Sequence, residues 1–111
     1  MEQVRIADLP DDPLAAAAAF HADHLPGLRA RRDGDLLLVF APADHRHRGW
    51  RSAAVQGLAR EAVPQRVNAV AGDSPAAVAA AAEYIARAPG LTGQLFSLDD
   101  AGAGPVIHPA S

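Results

Sequence analysis

The stretch QRVNAVAGDSPAAVAAAAEYIARAPGLTGQLFSLD, residues 65–99, predicts a strand, a helix and another strand in direct succession. RVNAVA, residues 66–71, and GQLFSL, residues 93–98, are short apolar runs typical of buried strands. Asp73 or Ser74 can cap the helix between them. Four residues at helical spacing are predicted to form its inner face: Val78, Ala81, Ala82 and Ile85. This succession indicates a crossover between parallel strands.

The residues upstream continue the alternation of strands and helices. DLLLVF, residues 35–40, is a continuous apolar run typical of a strand covered on both faces. Residues 13–25 predict a helix capped by Asp11 or Asp12, and residues 3–10 predict an edge strand at best. A stripe at helical spacing predicts a further helix: Trp50, Ala53, Ala54, Gly57, Leu58 and Glu61.

Prolines and glycines set the limits of these elements. Pro26 and Gly27 are expected to kink or break the first helix, and Pro64 to end the second. Residues 100–111 form a tail that holds either a short edge strand at PVIH or loosely ordered chain. We predict one three-layer α/β domain over residues 1–111, with a mainly parallel sheet, flanking helices, right-handed crossovers and a core at about 3–99.

Composition excludes several classes of function. With a net charge of −3, the chain has no general attraction for nucleic acid or for an anionic membrane, so we expect neither partner. It has no cysteine, which excludes disulfides, thiolate metal clusters and a cysteine nucleophile. The acidic start MEQVRIADLPDDP is unlike a signal peptide, and no run approaches the ~20 apolar residues of a membrane span. We expect a cytoplasmic protein.

Two motifs carry a resemblance to a known family. SAAVQGLAREAVPQRVNAVAG, residues 52–72, and LTGQLFSLDDAG, residues 91–102, resemble successive motifs in the C-terminal half of the short-chain dehydrogenase/reductase (SDR) family. The helix at residues 13–30 resembles that family's helix before the catalytic strand. The resemblance covers about residues 13–100 and implies a Rossmann-like half domain.

The catalytic residues of that family are absent. Aligning the motifs puts Arg48 at the family's tyrosine position and Ser52 at its lysine position, and neither residue can act as that pair does. The catalytic serine is replaced within AP, residues 41–42. The only asparagine, Asn68, lies in a predicted strand, and no glycine-rich cofactor loop is present. We therefore expect no dehydrogenase activity and no cofactor. The motif residues that are kept are expected to organise backbone and packing: Asn68, Thr92, Gly93 and Gln94.

The resemblance also implies a way of associating. In the family, the helices that correspond to residues 13–32 and 47–62 form a four-helix bundle across a two-fold axis. It implies that this chain is a catalytically inactive protein that acts as a homodimer or binds a full-length reductase. Small residues and one aromatic anchor are the predicted interface: Ala15, Ala18, Ala19, Trp50, Ala53 and Gly57.

A different class of function uses the ends of the predicted strands. The alternative function is that of a small ligand-binding protein or enzyme. Its cleft would lie near residues 40–47 and 71–74, and its ligand would be a nucleotide, an acyl-CoA or another anion. Arg46, Arg48 and Arg51 are candidate anion contacts. A solvated face, paired with neighbouring aspartates, is the simpler interpretation of these arginines.

Two other clusters have simple interpretations beside functional ones. HADH (residues 21–24) and DHRHR (residues 44–48) contain four histidines and suit zinc or nickel, but solvated surface is the simpler interpretation, and we predict no metal site. Asp44, His45 and Ser52 have the residue types of a hydrolase triad, yet no nucleophile elbow surrounds the serine.

Overall fold

A five-stranded sheet forms the centre of the molecule in this computed structural model, which describes residues 1–31, 33–99 and 106–109. The strand order follows the chain, β1-β2-β3-β4-β5. The first four strands are parallel, and the fifth pairs antiparallel with the fourth. The strands are β1 (Glu2–Ile6), β2 (Leu36–Phe40), β3 (Val67–Ala71), β4 (Leu95–Asp99) and β5 (Val106–Pro109). The predicted α/β fold is confirmed. Residues 106–108 of PVIH are part of the edge strand β5, whereas Pro105 lies outside the described residues.

Four α-helices connect the parallel strands: α1 (Pro13–Ala19), α2 (Leu25–Arg29), α3 (Arg48–Ala62) and α4 (Pro75–Ala86). The Asp12 carboxylate accepts a hydrogen bond from the N–H of Ala15 at 2.9 Å and caps α1, and the Ser74 hydroxyl caps α4 in the same way. The break expected at Pro26 is a π-helical turn, Phe20–His24, which joins α1 to α2. Pro26 falls in the first turn of α2, where a missing N–H costs little.

Alternate residues of β2 pack against different helix layers. Leu36, Leu38 and Phe40 face the π-helical turn, α2 and α3, whereas Leu37 and Val39 face α4. All five residues of this strand are buried, so the prediction of a strand covered on both faces is confirmed. The buried inner face predicted for α4 is confirmed as well.

The crossovers do not all have one hand, which corrects the expectation of right-handed connections throughout. The strands advance in one direction across the sheet, yet α4 lies on the face opposite α1 and α3. The β3–α4–β4 connection therefore has the opposite hand to the two before it. Apolar side chains on this second face, among them Val39, Val70 and Phe96, need a covering helix, and α4 is the helix that supplies it.

Hydrogen bonds of the buried Asn68 and of Thr92 fix the connection from β3 to β4. The Asn68 amide donates to the carbonyl oxygen of Leu91 at 2.9 Å, and its oxygen accepts from the N–H of Gln94 at 3.1 Å. The Thr92 hydroxyl accepts from the N–H of Val67, and Gly93 has a φ of 74°, in the left-handed region that suits glycine. The structural role predicted for these motif residues is confirmed.

Arg66 is a structural residue that the sequence did not single out. Its guanidinium donates to the carbonyl oxygens of Ile85 and Ala88, at 3.2 and 2.8 Å, just at the end of α4. Its Nε also pairs with the Asp35 carboxylate at 2.9 Å. Hydrogen bonding by the N–H of Arg66 is the main cause that lowers the pKa of Asp35.

The strand β1 forms one edge of the sheet and pairs only with β2. Its inward side chains, Val4 and Ile6, contact the core beneath α1, α2 and α3. Gln3 and Arg5 point to the other face, next to Leu37 and Val39 in register, and are exposed. Polar side chains and a charge on an edge strand oppose pairing with other chains. Over the residues that the structure describes, no helix has the length and apolar character to cross a membrane.

Candidate functional site

Two hollows lie where β1, β2 and β3 end. Ile6, Phe40 and Ala71 stand in register as the last residues of these strands, so the loops that follow them meet at one edge of the sheet. A hollow of about 160 Å³ lies between the loops after β1 and β2, and a second of about 50 Å³ lies at the start of α3. Arg51 lines both. We call the two hollows together the strand-end cleft; its position is the one where ligands bind to open parallel sheets.

Arg51 is the chemically unusual group of the strand-end cleft. The residue is only 7% exposed, and its guanidinium lies 4.6 Å from the ring centre of Phe40. Its Nη1 donates to the carbonyl oxygen of Ala41 at 2.9 Å, while its Nε is buried without a hydrogen-bond partner. Burial lowers the pKa of Arg51. It has no acidic partner among the residues that the structure describes, so a buried positive charge faces the cleft.

The three candidate anion contacts occupy different environments. Arg46 forms an exposed ion pair with Asp44 at 3.0 Å, and the hydrogen bonds from Arg46 lower the pKa of Asp44 to about 2. Arg48 is exposed at the cleft and has no ion pair in the described ranges of the chain. The solvated, paired interpretation therefore holds for Arg46 and is wrong for the buried Arg51.

Three of the five histidines make hydrogen bonds within the fold. His47 is buried; its Nε2 donates to the carbonyl oxygen of Asp11 at 2.9 Å, and its Nδ1 accepts from the Trp50 indole at 3.1 Å. His21 and His24 each bond a backbone carbonyl, at 2.7 and 3.2 Å. Within the described part of the chain, no three histidine or acidic side chains are grouped so that they could hold a metal ion.

The geometry of a hydrolase triad is not formed. Ser52 is buried in α3, and its hydroxyl accepts from the Gln56 amide at 3.4 Å. Asp44 bonds the N–H and side chain of Arg46 rather than a histidine. The serine therefore lacks both a base and access to a substrate.

The second candidate surface is the outer side of the helices, which we call the helix face; it consists of Leu14, Ala15, Ala18, Ala19, Trp50, Ala53 and Gly57. Leu14 is 82% exposed, and Ala15, Ala18 and Ala53 are exposed. A groove of about 270 Å³ between α2 and α3 is lined in part by Trp50, Ala53 and Gly57. Ala19, Trp50 and Gly57 are only half-exposed, and the use of these residues as an interface stays a prediction.

Trp50 connects the helix face with the core. Its ring is half-buried, with its centre 5.5 Å from that of Phe20 and 5.8 Å from that of Phe40. At the other end of the groove, Arg29 and Glu61 form an exposed ion pair at 2.9 Å between α2 and α3. The groove thus has an aromatic wall at one end and a charged pair at the other.

The burial of Arg51 is the site feature that the sequence interpretation missed. The buried side of α3 consists of Arg51, Ser52, Val55, Leu58 and Ala59, and the stripe predicted from Trp50 lies partly outside it. The available signal was spacing: Arg51 precedes Val55 and Leu58 by four and seven residues, so it extends an apolar stripe.

The family resemblance is confirmed by comparison with known proteins. A family model described as SDR-like, short chain dehydrogenase-like protein, matches residues 4–98. This match covers most of the chain and extends the resemblance from Pro13 back to the first strand. Comparison with curated proteins and with solved structures gave no significant match.

Proposed function

Because the chain belongs to the short chain dehydrogenase-like family, we propose that it is a catalytically inactive member that acts through association, as a homodimer formed by the helix face. A full-length reductase with the same helices is the second partner that this surface fits. The observation that carries the proposal is the exposure of an apolar helix surface, with Leu14 at 82%. Its location in the cytoplasm stays a prediction.

The shape of the helix face supports a second copy of this chain as the partner. Ala15, Ala18 and Ala53 expose only methyl groups, so two helices can approach closely there. A Cβ placed on Gly57 would meet no atom within 4 Å beyond the adjacent residues and backbone of its own helix, which leaves this position open to a partner. In a two-fold interface the same patch is used by both copies, and the groove beside it can receive the projecting Leu14 of the other copy.

Loss of catalysis is supported by the two residues at the family's catalytic positions. Arg48, at the tyrosine position, carries a guanidinium in place of a phenol and cannot serve as the general acid or base of that reaction. Ser52, at the lysine position, is buried and bonded to Gln56, so it cannot hold a cofactor ribose. We expect no oxidation of NADH or NADPH in the presence of carbonyl substrates, as measured by absorbance.

A matched pair of substitutions tests the association. Ala53 and Ala79 are both exposed alanines on helices, but α3 and α4 lie on opposite faces of the sheet. Ala53→Glu places two like charges in the dimer and is expected to give monomers by size-exclusion chromatography with light scattering. Ala79→Glu is the control and is expected to leave the dimer unchanged. Equal masses for the two variants would contradict the use of the helix face.

Association with a full-length reductase is tested in the same apparatus. The chain is mixed with a reductase from the same source, and a complex is expected that contains both proteins. Ala53→Glu should remove this complex, whereas Ala79→Glu should not. A complex that survives Ala53→Glu would show that the reductase binds elsewhere.

A further inference from the structure

Only some of the hydrogen-bond donors of the buried Arg51 have acceptors among the described residues. Nη1 bonds the carbonyl oxygen of Ala41, but Nε has no partner and Nη2 has none among the described residues. In a guanidinium, Nε–H and one N–H of Nη2 point the same way, along the edge away from Nη1. That edge matches the two oxygens of a carboxylate or a phosphate.

Arg66 is an arginine with a structural role, and its contacts differ from those of Arg51. Its Nε bonds a carboxylate and its Nη1 bonds the carbonyl oxygens at the end of α4, so both of these donors are satisfied internally. Arg51 is more buried, at 7% exposure, yet its side chain makes one hydrogen bond. A buried donor without a partner destabilises the folded protein, and an external acceptor would remove that cost.

The smaller hollow of the strand-end cleft is suited to a negative group. Its volume of about 50 Å³ holds a few waters or one small head group. Arg48 lines it as a second cation, and α3, a helix of 15 residues, begins there and adds the positive end of its dipole. The one carboxylate in its wall, Asp44, is paired with Arg46.

We propose that this hollow binds a small oxyanion, the carboxylate or phosphate head of a small molecule, between Arg51 and Arg48. Nε and Nη2 of Arg51 donate to two oxygens of the anion, and the Phe40 ring holds the guanidinium plane in place. Arg48 contributes charge from the exposed side. The hydroxyl of Ser97, also in the wall, is available to the anion as a further donor.

The Nε–H resonance of Arg51 in ¹⁵N-resolved NMR spectra reports on this edge directly. Inorganic phosphate and sodium acetate are titrated separately, with sodium chloride at matched ionic strength as the reference. We expect a saturable shift with a Kd in the millimolar range or tighter for phosphate, acetate or both, and none for chloride. Saturation by one probe alone identifies the head group as phosphate or carboxylate. Shifts that are linear, or equal for all three salts, would overturn the proposal.

Three variants separate binding from folding. Arg51→Lys keeps the charge but loses the paired donors, and we expect the Kd to rise at least 10-fold, followed through the N–H resonances of Ala71 and Ser97. Arg48→Gln changes an exposed residue that the fold does not need and should weaken binding several-fold. Arg60→Gln, an exposed arginine further along α3, is the control and should leave the Kd unchanged. Unchanged binding in Arg48→Gln and in a folded Arg51→Lys would refute the site.

Discussion

Substitution of Asn68 gives the sharpest test of how the fold is held together. This residue is 1% exposed, and its amide joins the carbonyl oxygen of Leu91 to the N–H of Gln94. Asn68→Ala removes both hydrogen bonds: the N–H of Gln94 loses its acceptor, and the carbonyl oxygen of Leu91 keeps only the longer bond from Arg66, at 3.5 Å. A backbone group that loses its partner costs about 1–3 kcal/mol, so we expect a loss of about 2–4 kcal/mol in the free energy of unfolding. The melting temperature should fall by roughly 10 °C or more.

Asn68→Asp keeps one of the two hydrogen bonds and disrupts the other. The acceptor for Gln94 is kept, but an oxygen replaces the donor that lies 2.9 Å from the carbonyl oxygen of Leu91. Burial and this contact raise the pKa of the introduced carboxyl in the folded protein above its unfolded value of about 3.9. Protonation then favours the folded state. The deficit relative to wild type should be smallest below about pH 4 and should grow as the pH rises through the raised pKa.

Urea unfolding followed by the fluorescence of Trp50 measures both effects. Ser97→Ala, an exposed change in the neighbouring strand β4, is the control and should alter the free energy of unfolding by less than about 0.5 kcal/mol. The reasoning is refuted if Asn68→Ala behaves like this control. It is equally refuted if the deficit of Asn68→Asp is the same at pH 4 and pH 7.

Three further changes have defined outcomes. Asp35→Asn should reduce the loss of stability on acidification, measured by urea unfolding. Hydrogen bonding from Arg66 lowers the folded pKa of Asp35, so the contribution of this carboxylate to the stability of the wild type is lost as the pH falls below about 4. Gly72→Ala should lower the melting temperature by an amount equivalent to about 1–3 kcal/mol, since a Cβ there would lie 3.0–3.3 Å from Leu98 side-chain atoms. Ser74→Ala should cost about 1 kcal/mol in the same measurement, through loss of the α4 cap; no change in any of the three would contradict the contact concerned.

The elements that could be predicted are those encoded by local patterns. The apolar run 35–40 and the caps at Asp12 and Ser74 depend on residues close in sequence, and the structure has them where they were expected. The face covered by α4 depends on which side of β2 and β3 needs apolar cover, which only the assembled sheet determines. The opposite hand of the third crossover follows from that long-range requirement.

The two candidate sites also differ in how much of each the sequence predicts. The exposure of small residues on α1 and α3 could be predicted in part from their helical spacing: Ala15, Ala18 and Ala53 are exposed, and their use as an interface stays a prediction. The state of Arg51 could not, because its burial depends on Phe40 and Ala41 from a different element. Arg46 and Arg51 look alike in HRHRGWR, yet one is an exposed ion pair and the other a buried cation.

The mass of the wild-type protein in solution is the most direct test of association through the helix face. Size-exclusion chromatography with light scattering is run over a range of protein concentrations, so that a weak dimer is also detected. The account predicts a mass of twice the 11.5 kDa of one chain, converted to the single-chain mass by Ala53→Glu. A mass of 11.5 kDa at every concentration, unchanged when a full-length reductase is added, would contradict it.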